Sequence, residues 1–367
     1  MNKQAQSDGI TMSGGGVYSL ATIGAKHVID AATPLVVEAI NKLPERNLAS
    51  LITLSDMGCA DGGTSLEMIS KALAAIRGRA PEQAVSVCYS DQPRNDFNAL
   101  IGNVHGFGSF KTWLGEFANV YPFESGTSFY RQILPPQTVD LGFSATAMHW
   151  LSAKPCNLSN HVQAVGATGD ERAAFSRQAR QDWRTILLHR ARELKPGGRL
   201  VLINFCVDDE GRYLGNTGGV NMFDRFNQNW LSFLEQGRIT RAEYENMTLP
   251  QYYNSVEEFC APLTDPSDPV HQAGLRLEHI DTRIVKCPYA EDFSSRGDAA
   301  RFSREYIPTI RTWNESIYFN GLSSDRPLEQ RQALIEDYYE SYRQQVEANP
   351  EGHGMDYVHA YMVIAKH

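Results

Sequence analysis

Leu51–Ser65, LITLSDMGCADGGTS, is the stretch whose reading decides the fold. LITLSD is a strand-length run of β-branched and apolar residues that ends on an acid. GCADGGTS then supplies Gly58, Gly62 and Gly63, and Thr64–Ser65 offers an N-cap for the helix that SLEMISKALAAI predicts. A strand that turns through glycines into a helix N-terminus brings backbone N–H groups close to a bound ligand. The spacing is D-x-G-x-x-x-G (Asp56, Gly58, Gly62), not the G-x-G-x-x-G of a dinucleotide site. A carboxylate at the end of a strand is placed to accept hydrogen bonds from an ammonium group. The pattern suits S-adenosylmethionine better than a pyrophosphate, although D-x-G turns also occur with no ligand at all.

Working outward, AVSVCYSD (Ala84–Asp91) reads as a second buried strand that again ends on an acid. FANVYPFE is a short strand, and TVDLGFSATAMHWLS (Thr138–Ser152) is a strand leading into a loop that carries His149 and Trp150. A long amphipathic helix over Ala173–Leu194 is expected to close at KPGG, before the strand GRLVLINFC. Strands alternate with helices to this point, which predicts an α/β, Rossmann-like doubly wound sheet, largely parallel. The alternation then breaks. Residues 207–270 and 298–354 read as a mostly helical cap inserted over a sheet domain of residues 1–206, 271–297 and 355–367. LRLEHIDTRIVKC and YVHAYMVIAK are the last strands.

Composition excludes several classes. At 367 residues, with 42% hydrophobic and 10% aromatic residues, the chain has ample material for a packed core. A net charge of −9 with no basic run makes it a poor ligand for nucleic acid or anionic membrane. No apolar run approaches a bilayer span, and MNKQAQSDGI lacks the apolar core of a signal peptide. Six scattered cysteines without C-x-x-C or paired histidine spacing read as free thiols, which points to the cytoplasm and to no metal. H-E-x-x-H and G-x-S-x-G are absent, so metalloprotease and serine hydrolase chemistry have no support.

Asp91, at the end of the second strand, is placed to accept both hydroxyl hydrogens of a ribose; otherwise it is a turn residue before Pro93. Ser128 and Phe129 follow the next strand, where an aromatic face pinches an adenine ring or simply fills core. His149 and Trp150 lie at the same sheet edge. Together they donate to one anion, or Trp150 fills the core and His149 is its satisfied neighbour. His27, on the N-terminal amphipathic segment, and Tyr18, just after the glycines, carry the same ambiguity.

Several motifs in order give the chain a family resemblance. M-S-G-G-G (Met12–Gly16), D-M-G-C-A-D-G-G-T-S, Y-S-D-Q-P-R-N-D-F-N (Tyr89–Asn98), S-F-Y-R-Q-I-L-P (Ser128–Pro135), M-H-W-L-S (Met148–Ser152), L-K-P-G-G-R-L-V-L and P-Q-Y-Y-N-S-V-E-E-F (Pro250–Phe259) resemble the signatures of the SABATH family. These are S-adenosylmethionine-dependent methyltransferases that include salicylate, benzoate and jasmonate carboxyl methyltransferases. The resemblance implies that Asp56 and Gly58 hold the methionine end of S-adenosylmethionine. Asp91 then takes the ribose, Gln92 lies beside the adenine, and Ser128, Phe129 and Ser144 complete the cofactor site. Trp150 matches the tryptophan that binds the substrate carboxylate, and His27 falls where the family has a glutamine with the same task. Leu20, Ile23 and Gly24 depart from the pattern, and Tyr18 replaces the tyrosine missing from that segment. His149, Thr146, Trp230 and Tyr318 are the expected substrate-pocket residues, with the cap around Met222–Trp230 and Tyr318–Phe319 shaping the pocket.

The expected reaction is conversion of a small aromatic carboxylic acid to its methyl ester by in-line transfer. An acid with a pKa of roughly 4 to 5 is ionised at neutral pH and needs no general base. A homodimer is expected from the resemblance. The competing readings are N-methylation of a small heterocycle and a non-catalytic cofactor-binding partner protein.

Overall fold

The computed structural model describes residues 18–45, 47 and 50–367; the side chains of Tyr18 and Leu20, and the glycine turn at residues 14–16, lie outside the described residues. Its strands are β1 (Ile52–Met57), β2 (Val85–Ser90), β3 (Val120–Ser125), β4 (Val139–Ala145), β5 (Leu194–Val207), β6 (Asn254–Ser255), β7 (Leu275–Val285) and β8 (Tyr357–Lys366). They assemble in the order β3-β2-β1-β4-β5-β8-β7, with the two-residue β6 pairing in parallel with the last two residues of β5. Strands β1 to β5 are mutually parallel where they pair, and β8 runs antiparallel to both β5 and β7. This is the doubly wound α/β sheet that the alternation of elements predicts. Every residue of β1 and β2 is buried, as expected of strands in the middle of a parallel sheet covered on both faces. Edge strand β3 instead turns Tyr121 and Phe123 outward.

Helices α1 (Tyr18–Ala21), α2 (Ile23–Asn41), α3 (Leu66–Arg79) and α4 (Phe97–Val104) precede the long α5 (Gly169–Glu193). Helices α2 and α3 cover one face of the sheet through Val28, Ile29, Val36, Leu66, Ile69 and Leu73. On the other face, α5 places Trp183, Ile186 and Leu187 against Leu200 and Leu202 of β5. Each such fully buried aliphatic side chain contributes about 1.5–3 kcal/mol relative to exposure. The KPGG segment is not a helix stop. It lies within β5 as an irregularity, where the register with β4 jumps from Val139–Leu194 to Leu141–Arg199 and Gly197 takes φ +75°.

The remaining helices are α6 (Met222–Glu235), α7 (Arg241–Asn246), α8 (Val256–Thr264), α9 (Pro269–Gln272), α10 (Pro288–Arg296), α11 (Ala299–Gly321) and α12 (Leu328–Ala348). Helices α6, α7, α10, α11 and α12 pack among themselves over one end of the sheet. Helix α8, which the sequence reading places in the cap, packs instead with α9 on α5 and β7. Phe259, Leu263 and Val270 join the same apolar cluster as Trp183. Their short amphipathic repeats identify a helix but not the surface it covers.

Candidate active site

The ligand crevice of an open α/β sheet lies at the carboxyl ends of the strands where strand order reverses, here between β1 and β4. Asp56 is buried at the end of β1, and its Oδ2 accepts a 2.6 Å hydrogen bond from Ser65 Oγ. Ser65 therefore braces that carboxylate rather than capping α3, and no side-chain cap hydrogen bond forms there. Gly58 turns with φ +76°, and a Cβ at this position would come within 2.5 Å of Ala147 Cβ and 3.6 Å of Phe129 Cε1. Only glycine fits that turn. Asp91 Oδ2 accepts from Ala60 N at 2.7 Å, and Oδ1 accepts from Gln92 N at 2.7 Å. A carboxylate has about four lone-pair positions, so capacity remains for a diol.

Burial pushes the Asp56 carboxyl up to about 7, against the pull of the Ser65 hydroxyl and with a further push from Asp91. Asp91 is likewise raised by burial, while its two backbone N–H partners act the other way. Neither carboxylate forms an ion pair with a basic side chain among the described residues. A buried acid and a half-buried one, without a cation of their own among the described residues, suit a ligand that brings an ammonium, a sulfonium and a ribose diol. Asp56, Asp91 and the Gly58 turn therefore fit S-adenosylmethionine.

The loop that carries Ser128 and Phe129 is pinned from α5. Buried Arg190 donates to Phe129 O at 2.9 Å and to Arg131 O at 2.8 Å, and it pairs with Glu193 at 2.7 Å. Phe129 is buried beside the Gly58 turn, and half-buried Ser128 lies next to it. Gln92, also half-buried, directly follows Asp91. Ser144 is fully buried and its hydroxyl donates to Met57 O at 2.7 Å, so it ties β4 to the end of β1 rather than facing a ligand. The backbone of Tyr18 opens α1, which is anchored to the glycine loop: Ser19 N donates to Asp61 Oδ2 at 3.1 Å and Ser19 Oγ donates to Asp61 Oδ1. That anchor was invisible in the sequence, because its two ends are 42 residues apart.

Beside this crevice lies a cleft holding about 410 Å³ of empty space, its open mouth included. From the strand ends it is lined by Thr146, His149, Trp150 and Phe205. The cap side contributes Leu214 and Trp313, Met355 comes from just before β8, and the segment after α7 contributes Gln251 and Tyr253. Thr146 adopts φ +58°, an uncommon backbone for a β-branched residue, and its hydroxyl lies 3.2 Å from His359 Nε2. His149 packs edge-on against Phe205 at 4.8 Å, and burial pushes its imidazole down to about 3, so the ring is neutral. His359 stacks on the same Phe205 at 4.1 Å and is also pushed down by burial.

Three expected residues lie elsewhere. His27 is exposed on α2, and the residues offered to the cleft from this end of the chain are Thr22 and Ala25. The cleft-facing stripe includes Ala25, and His27 lies about 200° around the helix from it. Trp230 and Tyr318 are completely buried inside the cap, where Trp230 stacks on Tyr338 at 4.2 Å and meets Tyr318 edge-on at 5.2 Å. An i, i+3, i+7 aromatic stripe of Phe223, Phe226 and Trp230 made a core face that the sequence reading took for pocket wall. The sequence reading did not identify Phe205, Gln251, Trp313, Tyr357 and His359. Gln251 stands within a motif already singled out, P-Q-Y-Y-N-S, without a role attached to it.

A family model described as SAM dependent carboxyl methyltransferase matches residues 10–366. A methyltransferase named LUC1 from a Fusarium species is 28% identical over 322 residues, covering 85% of this chain and 83% of that protein. The indole-3-acetate O-methyltransferase 1 of Oryza sativa subsp. japonica is 28% identical over 253 residues, 60% of this chain and 62% of that protein. Among solved structures, a loganic acid methyltransferase with SAH superposes with a TM-score of 0.76 at 20% identity, covering 97% of this chain and 98% of that one.

Proposed function

Because the chain belongs to the family of S-adenosylmethionine-dependent carboxyl methyltransferases, we infer that its cleft receives a small aromatic carboxylic acid and releases the methyl ester. S-adenosylmethionine is the methyl donor, and the enzyme is an O-methyltransferase. The observation that carries the choice of acid is Trp150: it lines an aromatic cleft, and its indole N–H has no acceptor among the described residues. A planar acid stacks against Phe205, Tyr253 or Tyr357, and its carboxylate takes the indole hydrogen bond.

S-adenosylmethionine supplies a methyl group on a positively charged sulfur, so attack by a carboxylate leaves a neutral thioether and an ester with no proton to move. The residues therefore act by placement: reacting atoms held about 3 Å apart and in line account for most of the acceleration. Asp56 and Asp91 grip the donor, and Trp150 aims the acceptor. Neutral donors suit this task, because a full cation on the carboxylate would weaken its nucleophilicity.

The test is transfer of labelled methyl from S-adenosylmethionine to a panel of small carboxylic acids, followed by mild alkali. Label released as methanol identifies an ester. Alkali-resistant label, or none at all, rejects the reading. For setting, we propose the cytoplasm, supported by six free cysteines. The expected assembly is a homodimer, supported by the family resemblance and checked by light scattering on a sizing column. No helix of the described residues is long and apolar enough to cross a membrane, and the partner is a small molecule.

A further inference from the structure

We propose that Gln251 is a second carboxylate-binding group of the cleft, acting beside Trp150; the assignment rests on the carboxyl-methylation reading above. A carboxylate moved from water into an aromatic cleft keeps two oxygens that both need donors. Trp150 supplies one N–H.

Trp150 and Gln251 face each other across an isolated antiparallel bridge. Tyr252 N donates to His149 O at 3.0 Å and Leu151 N donates to Pro250 O at 2.8 Å, so the hydrogen bonds flank the pair rather than joining it. In such a pair the Cα atoms lie about 4.5 Å apart and both side chains leave the ladder on the same side. Both line the cleft.

The carboxamide is also oriented. Tyr253 Oη lies 3.2 Å from Gln251 Oε1 and donates to it. That leaves Nε2, with two N–H bonds, as the free end, and it meets no acceptor among the described residues. Tyr253 is buried and lines the same cleft, so its hydroxyl occupies Oε1 and leaves Nε2 as the end of the amide available to a ligand. One carboxylate oxygen then takes the Trp150 N–H and the other takes Gln251 Nε2. Both donors are neutral, so the oxygen that attacks the methyl carbon keeps its nucleophilicity.

The test is a steady-state comparison of the full-length wild-type chain with Gln251→Met, using the best acid of the panel. Methionine keeps the length and packing of glutamine and removes both donors. The expected result is a fall in kcat/KM for the acid of roughly 10- to 100-fold, most of it in KM, with S-adenosylmethionine affinity unchanged within twofold. A Gln251→Met enzyme within twofold of wild type overturns the assignment. Should that variant lose S-adenosylmethionine binding through misfolding, Tyr253→Phe decides. It removes only the hydroxyl that orients the amide, and it is expected to raise KM for the acid severalfold; an unchanged KM overturns the assignment equally. A wild-type chain that binds S-adenosylmethionine and methylates no acid overturns both this assignment and the reading beneath it. An active wild type with an equally active Gln251→Met overturns the Gln251 role alone.

Discussion

The proposed reaction assigns Trp150 to the acceptor and Asp56 to the donor, and each assignment predicts a separable defect. Trp150→Phe keeps an aromatic wall and removes one donor to a charged acceptor, which is worth about 1.5–3 kcal/mol. We expect kcat/KM for the acid to fall by roughly 10- to 100-fold with donor affinity unchanged, read by methyl transfer and calorimetry. His27→Ala, by contrast, alters an exposed residue and is expected to leave activity within about twofold. Asp56 predicts a pH effect. Burial raises its carboxyl to about 7, and an ammonium binds the ionised form. Affinity for S-adenosylmethionine should therefore rise with pH through that region, with proton release on binding, and Asp56→Asn should flatten the dependence. At this scale the sequence was informative about the two strand-end acids, because an acid closing an apolar run is a local pattern. It was silent about Phe205, Gln251 and His359, whose roles come from neighbours far away along the chain.

The loop of Ser128 and Phe129, which the proposed function places at the cofactor, is held in shape by α5. Arg190 and Glu193 form a buried pair at the end of α5, and the guanidinium holds the carbonyls of Phe129 and Arg131. Arg190→Met strands the Glu193 carboxylate, and breaking a buried pair in this way costs about 3–5 kcal/mol. The expected outcome is a lower unfolding midpoint in denaturant together with weakened S-adenosylmethionine binding. Gly58→Ala is expected to lose donor binding outright, since it combines a φ of +76° with a clash against Ala147. Element types were legible in the sequence because strand and helix periods differ. What each helix covers was less so: α8 reads as cap and packs on the sheet, and the aromatic stripe of α6 reads as pocket wall and fills the cap core. Amphipathicity reports that a face is buried, not against what.

For the whole molecule, buried histidines set the acid limit. His149 is pushed down to about 3 and His353 to about 4 by burial, and His359 is pushed well below its ordinary value. An unfolded histidine binds a proton near pH 6.5, so these groups favour folding above that pH and withdraw the contribution as pH falls toward their folded values. His149 alone accounts for about 2 kcal/mol by pH 5. Asp56, with its folded value raised, runs the other way: its contribution to folding grows as pH falls from about 7 toward 3.8. We expect unfolding free energy in denaturant to drop between pH 7 and pH 5, and to drop more steeply in Asp56→Asn, which lacks the opposing carboxyl. The sheet order itself was only half legible. Alternation of strands and helices gave the parallel half, whereas nothing local marks β8 as the strand that enters between β5 and β7.

That insertion has a consequence for how the molecule is made. Strands β3 to β5 come from the first 207 residues, but β5 keeps an open hydrogen-bonding edge until Tyr357–Lys366 arrives. Among the described residues β7 pairs with β8 alone, so it too waits for the same ten residues. During synthesis at about 5–20 residues per second, the 149 residues between β5 and β8 (208–356) take roughly seven to thirty seconds to emerge. Through that interval the growing chain presents an unpaired apolar strand edge, the feature that recruits chaperones or other nascent chains. Yield of soluble enzyme should therefore respond to slower translation and chaperone supply more than to changes that stabilise the finished fold.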